Sequence, residues 1–246
     1  MKNFLNISIA LISIGGLASA PVESSLAQPV DDSRSVETIA VIDTGVFPAA
    51  QGSNITNYDA RVPNNIKLVS EDEKWRWNSR HGTWIASIIR DRKADVKIIS
   101  YRVDIDCPVP DACNMSTLSI YKSALHAEKL GAKVIVIPSA GSMGEYAEDK
   151  FAEIANRGVH IIFPAGNEGK TSKMLRLSSL NKDFIHVVGS VNDIGRKSSF
   201  SDHDSGENLF RWVKGEDIKA SDPDGKRRSI NGTSYAAAAF AANLSF

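Results

Sequence analysis

The sequence predicts an α/β domain: a mainly parallel central sheet with helices on both faces. Three observations predict it. β-Branched, apolar runs recur as near-continuous blocks, as strands covered on both sides require. Amphipathic stretches of helical period lie between these runs, giving the βαβ rhythm of a parallel sheet. The composition is that of one globular domain, with 42% hydrophobic residues and 29 Lys+Arg against 29 Asp+Glu in 246 residues. It argues against a disordered chain, a collagen-like repeat and a polytopic membrane protein. Zero net charge leaves no basic footprint, so nucleic acid is not an expected partner.

The N-terminus reads as a targeting segment. Lys2 is a short positive start, and Phe4 to Ala18 is apolar apart from Asn6, two serines and Gly15-Gly16. That stretch is short for a membrane span and right for a signal-peptide core, the alternative being a buried N-terminal helix. Small-residue cleavage sites follow at Ala18-Ser19-Ala20 and Ser25-Leu26-Ala27. Pro21 disfavours the first. Residues 1–27 are therefore expected to be a signal peptide, and 28–246 an exported single domain without stable membrane insertion.

Within that domain, strands are expected at Thr38–Ile42, Val96–Val103, Lys133–Ile137, Val159–Phe163 and Phe184–Val188. The charged run Glu71–Arg80, with Trp75 and Trp77, reads as a solvated loop with two anchoring aromatics. Trp84–Ile89 is an apolar helical stretch. Met115–Leu130 is amphipathic, with Leu118, Tyr121, Leu125 and Leu130 near one face, and Tyr146–Asn156 follows similarly. Gly131 and Gly158 fall where helix C-caps belong. Lys226-Arg227-Arg228 reads as a charged turn after Pro223-Asp224-Gly225, and Tyr235–Ala242 is an alanine-rich helix. Two cysteines are too few for a disulfide scaffold or a four-thiolate zinc site. Cys107 and Cys113 bracket a Pro-rich stretch. In an oxidising compartment they are placed to close a small disulfide loop, two free thiols being the alternative.

Three short segments carry chemistry. Ile39-Ala40-Val41-Ile42-Asp43-Thr44-Gly45 is an apolar strand ending in a carboxylate and a tight turn, and strand C-termini are where open α/β sheets bind ligands. His81-Gly82-Thr83 opens a helix, and Asn231-Gly232-Thr233-Ser234 precedes another. Taken singly, these read as a turn aspartate, a structural histidine and a helix cap. Together they give Asp, His and Ser in a chain order known for one class of nucleophilic hydrolase.

In these segments the chain resembles the subtilisin-like serine protease (subtilase, peptidase S8) family. The matching motifs are Asp43-Thr44-Gly45, His81-Gly82-Thr83 and Gly232-Thr233-Ser234, with Pro164-Ala165-Gly166-Asn167-Glu168-Gly169 as a fourth. The likeness continues through Val188-Gly189-Ser190-Val191, Ser199-Phe200-Ser201 and Asp217-Ile218-Lys219-Ala220, covering about residues 38–242. It implies a three-layer subtilisin-like sandwich and a serine endopeptidase acting on protein or peptide. Ser234 is then the nucleophile, His81 the acid/base, Asp43 the orienting carboxylate and Asn167 an oxyanion donor. The resemblance also implies that Ser139, Ala140 and Gly141 bind substrate main chain. The mechanism needs no cofactor, and no carboxylate-rich loop suggests a metal. His126, His160 and His186 lack this context and read as structural. A non-catalytic binding protein on the same fold and an esterase or amidase using the same triad are the alternatives.

The chain also departs from the family. Trp84 stands where a second histidine is usual, Ser87 where a glycine is usual, and Ala238 where a proline usually follows the serine motif. Only Gln28–Glu37 separates the expected cleavage site from the first strand, so no conventional propeptide is expected. The chain stops at Phe246, soon after Ser234, which suggests an exposed apolar face on Tyr235–Leu244 for a homodimer or partner protein. Asn-x-Ser/Thr sequons at Asn6, Asn54, Asn114, Asn231 and Asn243 include one beside the candidate nucleophile. Together with the brief signal, that favours a bacterial export route, periplasmic or secreted, in which the sequons are chance.

Overall fold

The computed structural model describes residues 36–47, 54–69, 80–109 and 112–244. The expected signal peptide, Trp75 and Trp77 lie outside the described residues. In chain order the elements are β1 (Thr38–Asp43), β2 (Ile55–Asp59), β3 (Lys67–Leu68), α1 (Arg80–Arg92), β4 (Lys97–Arg102), β5 (Asp104–Val109), β6 (Ala112–Met115), α2 (Thr117–Lys129), β7 (Val134–Val136), α3 (Glu145–Ala155), β8 (His160–Pro164), α4 (Leu175–Leu180), β9 (Ile185–Val191), β10 (Arg211–Lys214), β11 (Ile218–Ser221), β12 (Arg227–Ile230) and α5 (Thr233–Asn243).

Eight strands form one sheet in the order β10-β9-β8-β7-β1-β4-β2-β3. Every neighbouring pair is parallel except β2–β3. The five strands expected from apolar runs are β1, β4, β7, β8 and β9, all of them interior. The rest escape that signal because they are short or half-exposed, as in β2, β3 and β10.

Strand periodicity divides the core into two layers. Ala40 and Ile42 of β1, Ile135 of β7 and Phe163 of β8 point into one cluster with Ile120, Ala124, Phe151 and Leu177 of the helices α2, α3 and α4. Ile39 and Val41 of β1, Val134 and Val136 of β7 and Ile162 of β8 point the other way, toward α1 and α5. The result is a three-layer α/β sandwich with a mainly parallel sheet, as the sequence implies.

Two expectations need correction. Helix α2 starts after Ser116, whose hydroxyl caps the Ser119 N–H, and ends before Gly131 at φ +86°. Its buried face is Ser119, Ile120, Ser123, Ala124 and Ala127, whereas Leu118 and Leu130 are exposed. Tyr121 and Leu125 of the expected face do pack, half-buried, against the core, so the correction concerns Leu118 and Leu130. The second correction concerns the charged turn. Lys226 closes it, accepting from the Asp222 N–H, but Arg227 and Arg228 already belong to β12 and pair with Asp91 and Asp222.

Candidate active site

Three elements converge by simple parity. Asp43 follows Ile39 and Val41 on the same side of β1, so its side chain leaves the strand on the face covered by α1 and α5. Helix α1 carries His81 in its first turn, and α5 carries Ser234 in its first turn. β1 lies between β4 and β7, and the chain builds the sheet outward on both sides of it. Such a switch point opens a crevice at the strand C-terminus.

Close backbone packing brings the groups together. A Cβ on Gly82 would lie 2.2 Å from the Gly45 carbonyl oxygen, so only glycine lets α1 approach the β1 turn this closely. The Gly82 N–H donates to Thr44 Oγ1 at 3.1 Å. His81 Nδ1 then sits 2.7 Å from Asp43 Oδ2, and the other carboxylate oxygen accepts from the Thr44 N–H at 2.7 Å. Asp43 is fully buried and the His81 side chain is 12% exposed. A buried carboxylate on one ring nitrogen leaves the opposite edge of the imidazole to work at the cleft.

Asn167 follows Gly166 after β8. The backbone N–H and hydroxyl of Thr233 both donate to Asn167 Oδ1, each at 2.9 Å. Because the Thr233 N–H can only donate, these bonds fix which end of the amide is oxygen and leave Nδ2 as the donor end. The Thr233 hydroxyl also accepts from the Gly166 N–H at 3.2 Å. Ser234 Oγ donates to the Pro138 carbonyl at 3.0 Å, which ties the serine to the segment leaving β7.

A cleft of about 440 Å³ is lined by His81, Ser139, Ala140, Gly141, Asn167 and Ser234 together. All the sequence-expected site residues that face solvent therefore meet in one place, with Asp43 behind them. Sequence reasoning missed other lining groups, notably Cys113, Met115, Asp202 and Tyr235. The hairpin β5–β6 brings the first two, and the Cys107–Cys113 disulfide staples it. Asp202 directly follows Ser199-Phe200-Ser201, the one signal that pointed to it.

The departures at Trp84 and Ser87 have a single cause. The Trp84 Nε1–H donates to Asp222 Oδ1 at 2.7 Å, and Ser87 Oγ accepts from the Ser221 N–H at 3.0 Å. Both residues dock the end of β11 onto α1. Arg80 lies over the indole at 4.8 Å and, with Arg228, pairs with the same carboxylate. Burial works to raise the Asp222 pKa, but Arg228, Trp84 and Arg80 outweigh it and hold the group below the ordinary aspartate value. Trp84 fills core beside Tyr235 instead of narrowing the cleft. Ala238 is likewise fully buried in α5.

The subtilase family model matches residues 35–245. The chain belongs to the subtilase family. It is accordingly a subtilase serine protease domain. No curated protein matches it. Among solved structures, an alanine variant of the protease domain of PatA superposes with TM-score 0.67 at 20% identity, covering 84% of this chain and 76% of that one. A cold adapted subtilisin-like serine proteinase gives 0.65 at 22%, covering 83% and 72%. A lanthipeptide protease gives 0.64 at 21%, covering 84% and 72%. At such identities these likenesses speak for the fold.

The expected apolar face on this subtilase's last helix is not there. Nine of the eleven residues of α5, Thr233–Ala239, Ala241 and Ala242, are buried against the sheet and α1. A helix apolar on all sides belongs inside a domain, and this burial leaves α5 without the exposed apolar face that a dimer or partner would need. Among the described residues, no helix is long and apolar enough to cross a membrane, and no three His, Cys, Asp or Glu side chains gather as a metal site.

Proposed function

We propose that this subtilase is an exported serine endopeptidase in which Ser234, His81, Asp43 and Asn167 carry the chemistry. One observation supports the assignment above all. A buried Asp43–His81 pair at 2.7 Å opens onto the same cleft as Ser234 and the donor end of Asn167. As the Ser234 oxygen bonds to the scissile carbonyl carbon, its proton passes to the outer nitrogen of His81. Asp43 holds the inner N–H and stabilises the imidazolium. The oxyanion accepts from Asn167 Nδ2 and from a backbone N–H at the start of α5, where the helix dipole adds positive partial charge. Collapse breaks the C–N bond, His81 protonates the leaving amine, and water then hydrolyses the acyl-enzyme by the same relay. The present Ser234–Pro138 bond breaks when the hydroxyl turns to the imidazole, a tightening common on substrate binding.

Ser139, Ala140 and Gly141 would pair with extended substrate backbone along the cleft edge. Export rests on the N-terminal segment 1–27 and is in keeping with the Cys107–Cys113 disulfide, a bond at home in an oxidising compartment.

The test is mass spectrometry after exposure to a fluorophosphonate, paired with peptide hydrolysis. The expected results are one adduct on Ser234 and a Ser234→Ala variant reduced by roughly 10⁶ in kcat. An unlabelled protein, or a Ser234→Ala variant as active as the parent, would overturn the proposal.

A further inference from the structure

Asp202 is a buried carboxylate, 5% exposed, at the cleft wall next to the loop that carries Asn167. One of its oxygens accepts two backbone N–H bonds, from Glu168 at 2.9 Å and Lys170 at 3.1 Å. Its own N–H donates to the Gly166 carbonyl at 2.9 Å. The peptide groups on both sides of Asn167 are thus tied to this one residue. Its second oxygen lies where a Cβ on Gly166 would be, at 2.1 Å, so the glycine before Asn167 is needed for the carboxylate to come this near.

We infer that Asp202 is a positioning residue for the oxyanion donor. It clamps the 166–170 loop from outside while Thr233 holds the Asn167 side chain from within. The inference rests on the role proposed for Asn167. Two charge-assisted bonds to one carboxylate oxygen resist displacement of the loop more strongly than neutral bonds would. A donor placed before the reaction needs no reorganisation as charge develops on the substrate oxygen. The clamp therefore acts on the transition state more than on substrate binding. Gly169 to Phe200, Asp202 to Gly166 and His203 to Lys170 are joined by backbone bonds that do not involve the carboxylate.

Steady-state kinetics on a double-mutant cycle tests it. Asp202→Ala is expected to lower kcat by about tenfold or more, with KM within about twofold, as loss of alignment at an oxyanion donor should. Asp202→Asn keeps an acceptor oxygen without the charge and is expected to lose less. Both losses should vanish when Asn167 is already alanine, because a clamp has nothing left to position. Losses that persist in full in the Asn167→Ala background, or that appear in KM, would overturn the clamp and leave the oxyanion assignment standing. If Asn167→Ala itself leaves kcat unchanged, that assignment falls and the clamp falls with it. Should Asp202→Ala fail to fold, Asp202→Asn carries the same cycle.

Discussion

At the scale of single residues, the site depends on groups whose size or charge admits no ready substitute. Gly82 lets two backbones touch, and the 2.7 Å contact between His81 and Asp43 depends on that approach. Gly82→Ala is expected to push α1 off the β1 turn and lower kcat by roughly 10²-fold, the typical cost of displacing a catalytic group by about an ångström. Peptide hydrolysis by the purified variant checks this, and an unchanged kcat would show that the turn yields without moving His81. Trp84 gives a different kind of prediction. Trp84→Phe keeps an aromatic ring next to Tyr235 but removes the donor to the buried Asp222. A hydrogen bond to a charged group contributes about 1.5–3 kcal/mol, so denaturant unfolding should show a loss of that size. Trp84 also shows what the sequence hides. Its mismatch with the family was plain, but its partner lies 138 residues away, and nothing in the local pattern links the two.

At the scale of elements, legibility follows the way each piece is built. β1, β4, β7, β8 and β9 are buried on both faces, so they are written as apolar runs, and Asp43, His81, Asn167 and Ser234 each sit in a contiguous motif. The β5–β6 hairpin offers no such signal. Its strands mix Asp104, Asp106 and Asn114 with apolar residues, its register is irregular, and it matters because Cys113 and Met115 reach the cleft. Helix α2 is only half legible for a related reason: Tyr121 and Leu125 dock as the period implies, but much of its buried face is Ser119, Ser123, Ala124 and Ala127, side chains that carry little apolar signal. The hairpin makes an element-level prediction. The cysteines are six positions apart, so the disulfide closes a short loop and should contribute only ~2 kcal/mol of global stability. Its local effect on the cleft wall should be larger. Replacing both cysteines with serine is expected to raise KM for extended peptides several-fold while leaving kcat near the parent value. A change confined to kcat would remove the hairpin from substrate binding.

At the scale of the whole molecule, three histidines outside the site contribute to how the fold responds to mild acid. His160 of β8 and His186 of β9 face each other, Nδ1 to Nε2 at 3.0 Å, with Phe184 and Phe240 against their rings. Burial first, then His160 and Arg211, push His186 from 6.5 down to about 4. Burial lowers His160 as well. His126, bonded to the Tyr101 hydroxyl, is lowered by burial and then by Lys129. All three therefore take up a proton less readily in the folded chain than in the unfolded one. Above about pH 6.5 neither the folded nor the unfolded chain protonates them, and their contribution to stability is complete. As pH falls below that value the unfolded chain binds protons more readily than the native chain, so stability declines, the His186 part of it progressively toward pH 4. Denaturant unfolding at pH 7.5, 6 and 5 should show this loss before the carboxylates titrate. His186→Leu removes both the proton site and a buried Nδ1 that has no hydrogen-bond partner among the described residues. The variant should have a visibly flatter profile between pH 6.5 and 5. A slope identical to the parent's would place the acid sensitivity elsewhere. Two strands and a helix meet at this pair, on the sheet that also carries Asp43, so acid unfolding should dismantle the core and the cleft in one transition.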